Sequence, residues 1–461
     1  MSVEGDADRW WREPLAAVVA GRKVILAGGV AAGWTALVPV VRRLGATDVL
    51  VVPTEGTGAG PQPEDATVMV CEPPPEVVGM MPRLRASLAL LGDLPTDVVT
   101  AIESFDPDRA AAVFAVFLSE AAVIAGRPAI AYRRPEWVAL EDKTVVDALL
   151  DRAGVARAPS AVVTVGDAFT AHRRLDQGAG TVWAADARDG YHGGATATRW
   201  VVDDATAAAA TAELALLGDR VRVMPFLEGI ATSVHGIVLP EGVAVLRPVE
   251  LVTLRRGHEL VYAGCATYWD PPNAVREEMR AAARHVGEQL RHDVDFRGAF
   301  TLDGVATTEG FRPTEVNPRF GAGLNVVART LADVPLLLVL DVVVAGGKLG
   351  ITAADLEAWL VAEADTTRAG GTWRIGVPVT APIDSRSAVY DNGSWHWAAD
   401  GEVPDATVVA RDKFARAAFE PVRTPAGPSV GPRAAAFWNW YESAEDYSGA
   451  PLTAALDVTA P

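Results

Sequence analysis

Cysteine is nearly absent from this chain, with 2 among 461 residues. Cys71 and Cys265 lie too far apart to form a metal-binding spacing, and one pair cannot staple a chain of this length. A disulfide framework is therefore excluded, and a reducing compartment is the simpler setting. Histidine is scarce as well, at 7 residues; His285 and His292 read as surface positions of an amphipathic helix, with nothing to mark a metal pair. Positive charge is in deficit: 41 Lys and Arg against 59 Asp and Glu leave a formal net charge of −18. That balance argues against nonspecific binding to nucleic acid or to an anionic membrane, because long-range repulsion would have to be overcome locally. No long apolar run occurs. The longest, PLLLVLDVVVAGG from Pro335, is too short to span a bilayer and contains Asp341. The N-terminal MSVEGDADRWWREP carries acids where a signal peptide needs a basic start and an apolar core, so residence in the cytoplasm is expected.

What is abundant is apolar surface, at 50% of residues, enough for a large core spread over about two to four domains. RKVILAGGV at 22–30 reads as a buried strand ending in glycines, followed by a helix through Arg42 and a second strand, TDVLVVP. Gly28, Gly29 and Gly33 do not meet the G-x-G-x-x-G spacing of a dinucleotide site. ATVMVC reads as a third strand, the apolar run from Pro107 to Ala125 as a helix, and RPAIAYR as a further strand. Together they predict an open α/β domain over 1–134.

From 135 the texture changes. LEDKTVVDALLDRAGVARAPS places Lys143 at the opening of a helix whose buried face is Val145, Val146, Leu149 and Leu150; Gly154 ends it and Pro159 prevents its resumption. GTVWAADARDGYHGGATATRWV predicts two strands joined by a glycine-rich loop able to fold over phosphates through backbone N–H groups. VRVMPF predicts a strand running into a hinge, and PNAVREEMRAAARHVGEQL an amphipathic helix. GGKLG lacks the Ser or Thr and the spacing of a P-loop. Residues 353–461 are Pro- and Gly-rich with scattered tryptophans and predict a compact accessory domain.

The densest chemistry lies in RGAFTLDGV and TEGFRPTEVNPRFGAGL. Residues 298–302 read as a strand, Asp303 and Gly304 as a turn, and RPTEV as the returning strand. Side chains alternate faces along a strand, so Glu315, Asn317 and Arg319 share one side, with Asp303 on the neighbouring strand. Two carboxylates and an amide oxygen suit a hard cation such as Mg²⁺, and an Arg beside it suits phosphate.

This set of residues resembles the ATP-grasp superfamily, whose metal site is an acid followed by Glu-x-Asn-x-Arg. The resemblance covers about 130–350 well and the preceding domain loosely. It implies an α/β (α+β ATP-grasp) fold: an N-terminal open α/β pre-ATP-grasp domain, a two-subdomain ATP-grasp core at 135–352 with a lid at about 155–228, and a small C-terminal domain. It implies ATP and Mg²⁺ as cofactors, with Mn²⁺ as a substitute, and Asp303, Glu315 and Asn317 as metal ligands. Lys143 would reach an ATP phosphate and Arg319 the transferring phosphoryl. Val223, Met224, Pro225 and Phe226 would meet adenine. The family's usual acids are missing at Met224 and Ala231, which leaves Glu228 or Glu250 for ribose. A second phosphate-binding Lys is absent from TVWAAD, with Arg188 or His192 as substitutes. Arg255 and Arg256 would face the carboxylate substrate.

The wording of GIATSVHGIV, RPVELVTLRR and FRPTEVNPR is similar to peptide ligases of the pheganomycin type. An ATP-dependent carboxylate–amine ligase in amino-acid, peptide or natural-product biosynthesis is therefore expected, working through an acylphosphate and releasing ADP and phosphate. Its partners would be small acids and amines, with no nucleic acid and no membrane; a homodimer is compatible with this. An ATP-grasp carboxylase acting on bicarbonate and a nonenzymatic nucleotide sensor are the rival readings.

Overall fold

Strands buried on both faces need near-continuous apolar runs, and Lys23–Ala27, Asp48–Val52 and Ala112–Ala115 supply them after the charged first residue of the first two. With Thr67–Val68 they form a parallel four-stranded sheet in the order 67–68, 48–52, 23–27, 112–115. The computed structural model describes residues 8–55, 60–188, 193, 195–331, 334–411, 413–445 and 449–459. Two expectations fail in this unit. The run from Pro107 holds the strand Ala112–Ala115 rather than a helix, and the helix lies earlier, at Thr96–Phe105. A continuous apolar run carries neither period, so burial on both faces of a sheet was indistinguishable from a core helix. RPAIAYR contributes only Arg127–Pro128, paired with Val123–Ile124, and a bridge from Ala129 to Val113.

The main body is an antiparallel sheet of 11 strands. From one edge it runs Gly310–Asn317, Gly298–Thr307, Ile230–Leu239, Gly242–Arg256 and Glu259–Ala266. It then continues without a break through Gly370–Ile375, Phe414–Phe419, Ala406–Arg411, Ile383–Asp391 and Ser394–Trp397, and the eleventh strand, Thr453–Ala454, pairs with Gly242–Arg256 off this path. The C-terminal strands thus extend the central sheet, with Trp395, Phe437 and Trp438 buried beneath them. Asn273–Val294 is the amphipathic helix expected; it buries Met279, Ala283, Val286 and Leu290 against the sheet. Close approach requires glycine here: a Cβ at Gly236 would stand 2.3 Å, and one at Gly287 2.8 Å, from the ring of Phe300. The helix Leu336–Val344 packs into a cluster shared with Trp10, Trp11, Leu26 and Phe114, which fastens the N-terminal unit to the central sheet.

A smaller sheet, ordered Ala161–Thr164, Arg220–Pro225, Thr181–Ala185, Thr198–Val201, lies across a cavity from the central one. The helices Ala168–Leu175 and Asp204–Leu214 cover its other face, the second held at its start by a capping box between Asp203 and Thr206. Among the described residues no helix is long and apolar enough to cross a membrane.

Candidate functional site

Three strands set the floor of the cavity. In register, Ser233 faces Asp303, which faces Glu315; one rung on, His235 faces Thr301, which faces Asn317. Residues two apart share a face, so both rungs point into the same space. Asp303 does not sit in a turn: the strand continues to Thr307, and the chain reverses at 308–309. The DG pair instead marks a bulge, at which Phe311 packs so close to Gly304 that a Cβ would stand 2.6 Å from its ring.

The carboxyl of Asp303 is half-buried at the floor of the cavity. It accepts hydrogen bonds from the Ser233 hydroxyl and, at 3.0 Å, from Asn317 Nδ2. Burial, together with Glu315 beside it, raises its pKa, and Ser233, Arg319 and Lys143 oppose that rise. Lys143 Nζ lies 3.0 Å from Glu315 Oε2; it stands in the turn before the helix Val146–Arg152. Arg319 lies just past its strand, its Nε 2.8 Å from Glu141 Oε1 and its Nη2 3.1 Å from Asn317 Oδ1. Glu141 is itself held by Arg133 at 2.5 Å. His235, fully buried, is held neutral by burial with a pKa of about 3, and its Nδ1 lies 3.0 Å from Thr301 Oγ1.

The facing wall comes from Arg220–Pro225. Arg222, Met224 and Phe226 line the cavity, whereas Val223 is buried in the core of the small sheet. The ladder to Ala161–Thr164 ends at Val223, while that to Thr181–Ala185 runs on to Pro225, so one backbone edge is released at Met224 and beyond. Phe226 stacks on Trp200, ring centroids 3.9 Å apart, and the Arg255 guanidinium lies 5.0 Å from the Phe226 ring. The cavity between the walls, about 370 Å³, is lined by Lys143, Asp303, Glu315, Asn317, Arg319, Arg255, Met224 and Phe226 among others.

Other expected residues lie elsewhere. Arg255 and Arg256 are neighbours on a strand and so point to opposite faces: Arg255 enters the cavity, while Arg256 pairs with Glu442 at 2.5 Å and with Ala450 O. Glu228 is bound bidentate by Arg255 at 2.6 and 2.9 Å; burial pushes its carboxyl up, but that guanidinium outweighs burial and holds it below the usual range. Arg188 turns outward to Asp219 at 3.0 Å and to Leu216 O at 2.8 Å, away from the cavity. His192 and most of its loop lie outside the described residues.

Glu250 faces away from the cavity and is 2% exposed. It accepts hydrogen bonds from Ser429 Oγ (2.6 Å), Val430 N (2.9 Å) and Gly431 N (3.1 Å), at the start of the helix Gly431–Ala444. It is a structural clamp, not a ribose ligand. Burial pushes its pKa up to about 7 from 4.5. Between those values the native chain keeps a proton that the unfolded chain gives up, so this group's contribution falls as pH rises through the window and is flat above it. The loss is about 3 kcal/mol. The difference in urea midpoint between pH 5 and pH 8 is expected to narrow in Glu250→Gln; an unchanged difference would show that Glu250 does not carry it.

Ser233, Glu141, Arg222 and Trp200 escaped the sequence reading. A signal existed for the first: Ser233 and His235 are polar residues two apart in a strand that is otherwise mostly apolar.

No family model matches the sequence, and no curated protein matches it. Solved structures do. The β-γ-ATP complex of biotin carboxylase from Campylobacter jejuni is similar with a TM-score of 0.55 at 13% identity, over 86% of this chain and 87% of that one. The biotin carboxylase domain dimer of Hydrogenobacter thermophilus 2-oxoglutarate carboxylase, in complex with MgADP, ADP and bicarbonate, gives 0.53 at 14% identity, over 87% and 86%. Phosphoribosylamine–glycine ligase from Thermotoga maritima gives 0.51 at 14% identity, over 94% and 99%. These likenesses show the fold, the mixed α/β ATP-grasp fold.

Proposed function

We propose that this ATP-grasp chain is an ATP-dependent carboxylate–amine ligase that forms an amide or peptide bond through an acylphosphate. One observation carries the reading: Asp303, Glu315 and Asn317 share one face of adjacent strands, with Lys143 and Arg319 converging on them. Two carboxylates on one rung repel, and a divalent cation is the partner that relieves the repulsion; an all-oxygen donor set of this kind suits Mg²⁺, or Mn²⁺ in its place. When bound there, the metal would spread the negative charge that develops on the phosphate oxygens.

The chain's own residues do the rest. The aromatic end of the cavity, Met224 and Phe226 with Trp200 behind, receives the base, and the free backbone edge after Val223 supplies its hydrogen bonds. Lys143 holds the phosphates. An oxygen of the substrate carboxylate attacks the terminal phosphorus, the bond to the bridging oxygen breaks, and ADP leaves with that electron pair. Arg319, fixed by Glu141 and Asn317, faces the transferring phosphoryl. The amine nitrogen then attacks the acyl carbon, phosphate leaves with the C–O electron pair, and the nitrogen gives up a proton. Amino acids or peptides are the acids and amines we assign, in a natural-product pathway of the cytoplasm.

The test is product analysis with Mg²⁺, ATP, pooled amino acids and short peptides, and hydroxylamine as a trap. ADP, phosphate and a hydroxamate that appear only with particular acids are the expected result. The likeness to biotin carboxylases favours a second reading, in which bicarbonate is the acid. ADP release that depends on bicarbonate alone would select it, and tight ATP binding with no turnover would select a sensor.

A further inference from the structure

Among the described residues four cations line the cavity: Lys143, Arg222, Arg255 and Arg319. Three of them have been placed, at the metal rung, at the aromatic end and past the metal strand. Arg222 was assigned nothing by the sequence, yet it occupies the stretch of wall between the aromatic end and the metal rung. It stands two residues before Met224 on the same strand, about 7 Å nearer the Lys143 end of the cavity. Its Nη1 lies 3.0 Å from Met224 Sδ and 3.4 Å from the carbonyl of Thr314, the residue next to Glu315. A single side chain thus reaches from the base end to the metal strand.

The guanidinium is buried, 2% exposed. Its ionic partner is Asp147, 2.8 Å from Nη2 and 2.9 Å from Nε. Asp147 is shared: Arg157 approaches it at 3.5 Å and the Ser160 hydroxyl donates to it at 2.5 Å. Among the described residues Nη1 has a thioether and a long contact to a carbonyl, both weak acceptors for a charge removed from water. Asp147 holds the Nε and Nη2 edge of the fork, and Nη1 is the remaining arm of a side chain that lines the cavity.

Register adds a second observation. Arg222 is the direct cross-strand partner of Ala184, so the two side chains share the cavity face, and both line it. Ala184 belongs to the TVWAAD strand that carries no cation. The charge missing from one strand is present on the next, at the same level of the sheet.

We propose that Arg222 binds the β- and γ-phosphates of a nucleoside triphosphate, from the position opposite the uncharged Ala184; the inference rests on the nucleotide reading above. Removing a charge-assisted hydrogen bond costs affinity by about tenfold or more. AMP lacks the β- and γ-phosphates and is the internal control.

The experiment measures binding of ATP and AMP to the full chain in Mg²⁺ by calorimetry. Wild type is expected to prefer ATP. Arg222→Gln should lower the ATP-to-AMP affinity ratio at least about tenfold, and adding Ala184→Lys to that variant should recover most of it. An unchanged ratio, a parallel loss of ATP and AMP, or a loss that the added lysine does not recover would overturn the assignment. Where Arg222→Gln does not fold, Arg222→Lys keeps the charge but loses the fork, and a fall of about threefold in the ratio is expected; no fall overturns the proposal. A wild-type protein that binds ATP no better than AMP would instead sink the nucleotide reading itself.

Discussion

Glu315→Ala is expected to lose at least about a thousandfold in ATP turnover while folding as well as the parent. Glu315 is one of two carboxylates on a single rung, and with Asn317 the pair would form the oxygen donor set of the proposed metal site. Without it, Asp303 alone cannot balance a divalent cation, and several kcal/mol of transition-state stabilisation go with it. Stability should not follow. The Glu315 side chain is 22% exposed and its pair with Lys143 is partly solvated, so the pair is worth no more than about 1 kcal/mol. Removing the carboxylate also relieves the repulsion on Asp303. The melting temperature is therefore expected to hold or rise, as befits a group whose placement serves function rather than folding. Steady-state ADP release and a thermal melt decide the matter. Retained turnover removes the metal assignment, whereas a lower melting temperature would mean that Glu315 is part of the scaffold.

Arg319→Ala is expected to separate binding from chemistry. Arg319 is positioned by Glu141 at 2.8 Å and by Asn317 at 3.1 Å, beyond the end of its strand and beside the metal face. On the proposed reading a group there would meet the phosphoryl in flight and the acylphosphate that results. Its loss should cost about 2–4 kcal/mol in barrier height, roughly 30- to 1000-fold in single-turnover rate. Nucleotide affinity should change by less than about threefold, because Lys143 remains. Arg319→Lys should not restore the rate: Glu141 and Asn317 are engaged by different arms of one planar fork, and an ammonium cannot satisfy both while facing a phosphoryl. Unchanged single-turnover rates in Arg319→Ala would remove the role.

The metal face was legible because a strand has period two. Glu315 and Asn317 must share a face if 310–317 is a strand, and that inference survived even though the reversal lies at 308–309 rather than at Asp303 and Gly304. The bulge was invisible because a DG pair serves a turn and a tight crossing equally well, and only the ring of Phe311 decides between them. The same period separated Arg255 from Arg256, which the sequence had left together. Other readings failed for want of long-range pairing. Arg188 and His192 were the candidates because they lie in the glycine-rich loop, yet the cavity receives Arg222, 34 residues after Arg188, because that residue is in register with Ala184. Glu250 was a candidate beside Glu228 because the usual acids are missing; its partners at 429–431 lie at the start of a helix far along the chain. Ala112–Ala115 was misassigned because an apolar run buried on both sides carries no period at all.

The unbroken sheet has one more consequence, for how this chain is cut. Residues 353–461 read in sequence as a compact accessory domain. Gly370–Ile375, however, is the strand that pairs with Glu259–Ala266, and Thr453–Ala454 pairs with Gly242–Arg256. A chain ended near 352 would leave the first of these partners with a bare row of amide and carbonyl groups, and Glu250 without the helix it clamps. Such an edge recruits strands from other molecules. Expression trials that trim this segment to reach a minimal domain would then produce aggregate rather than a smaller folded protein.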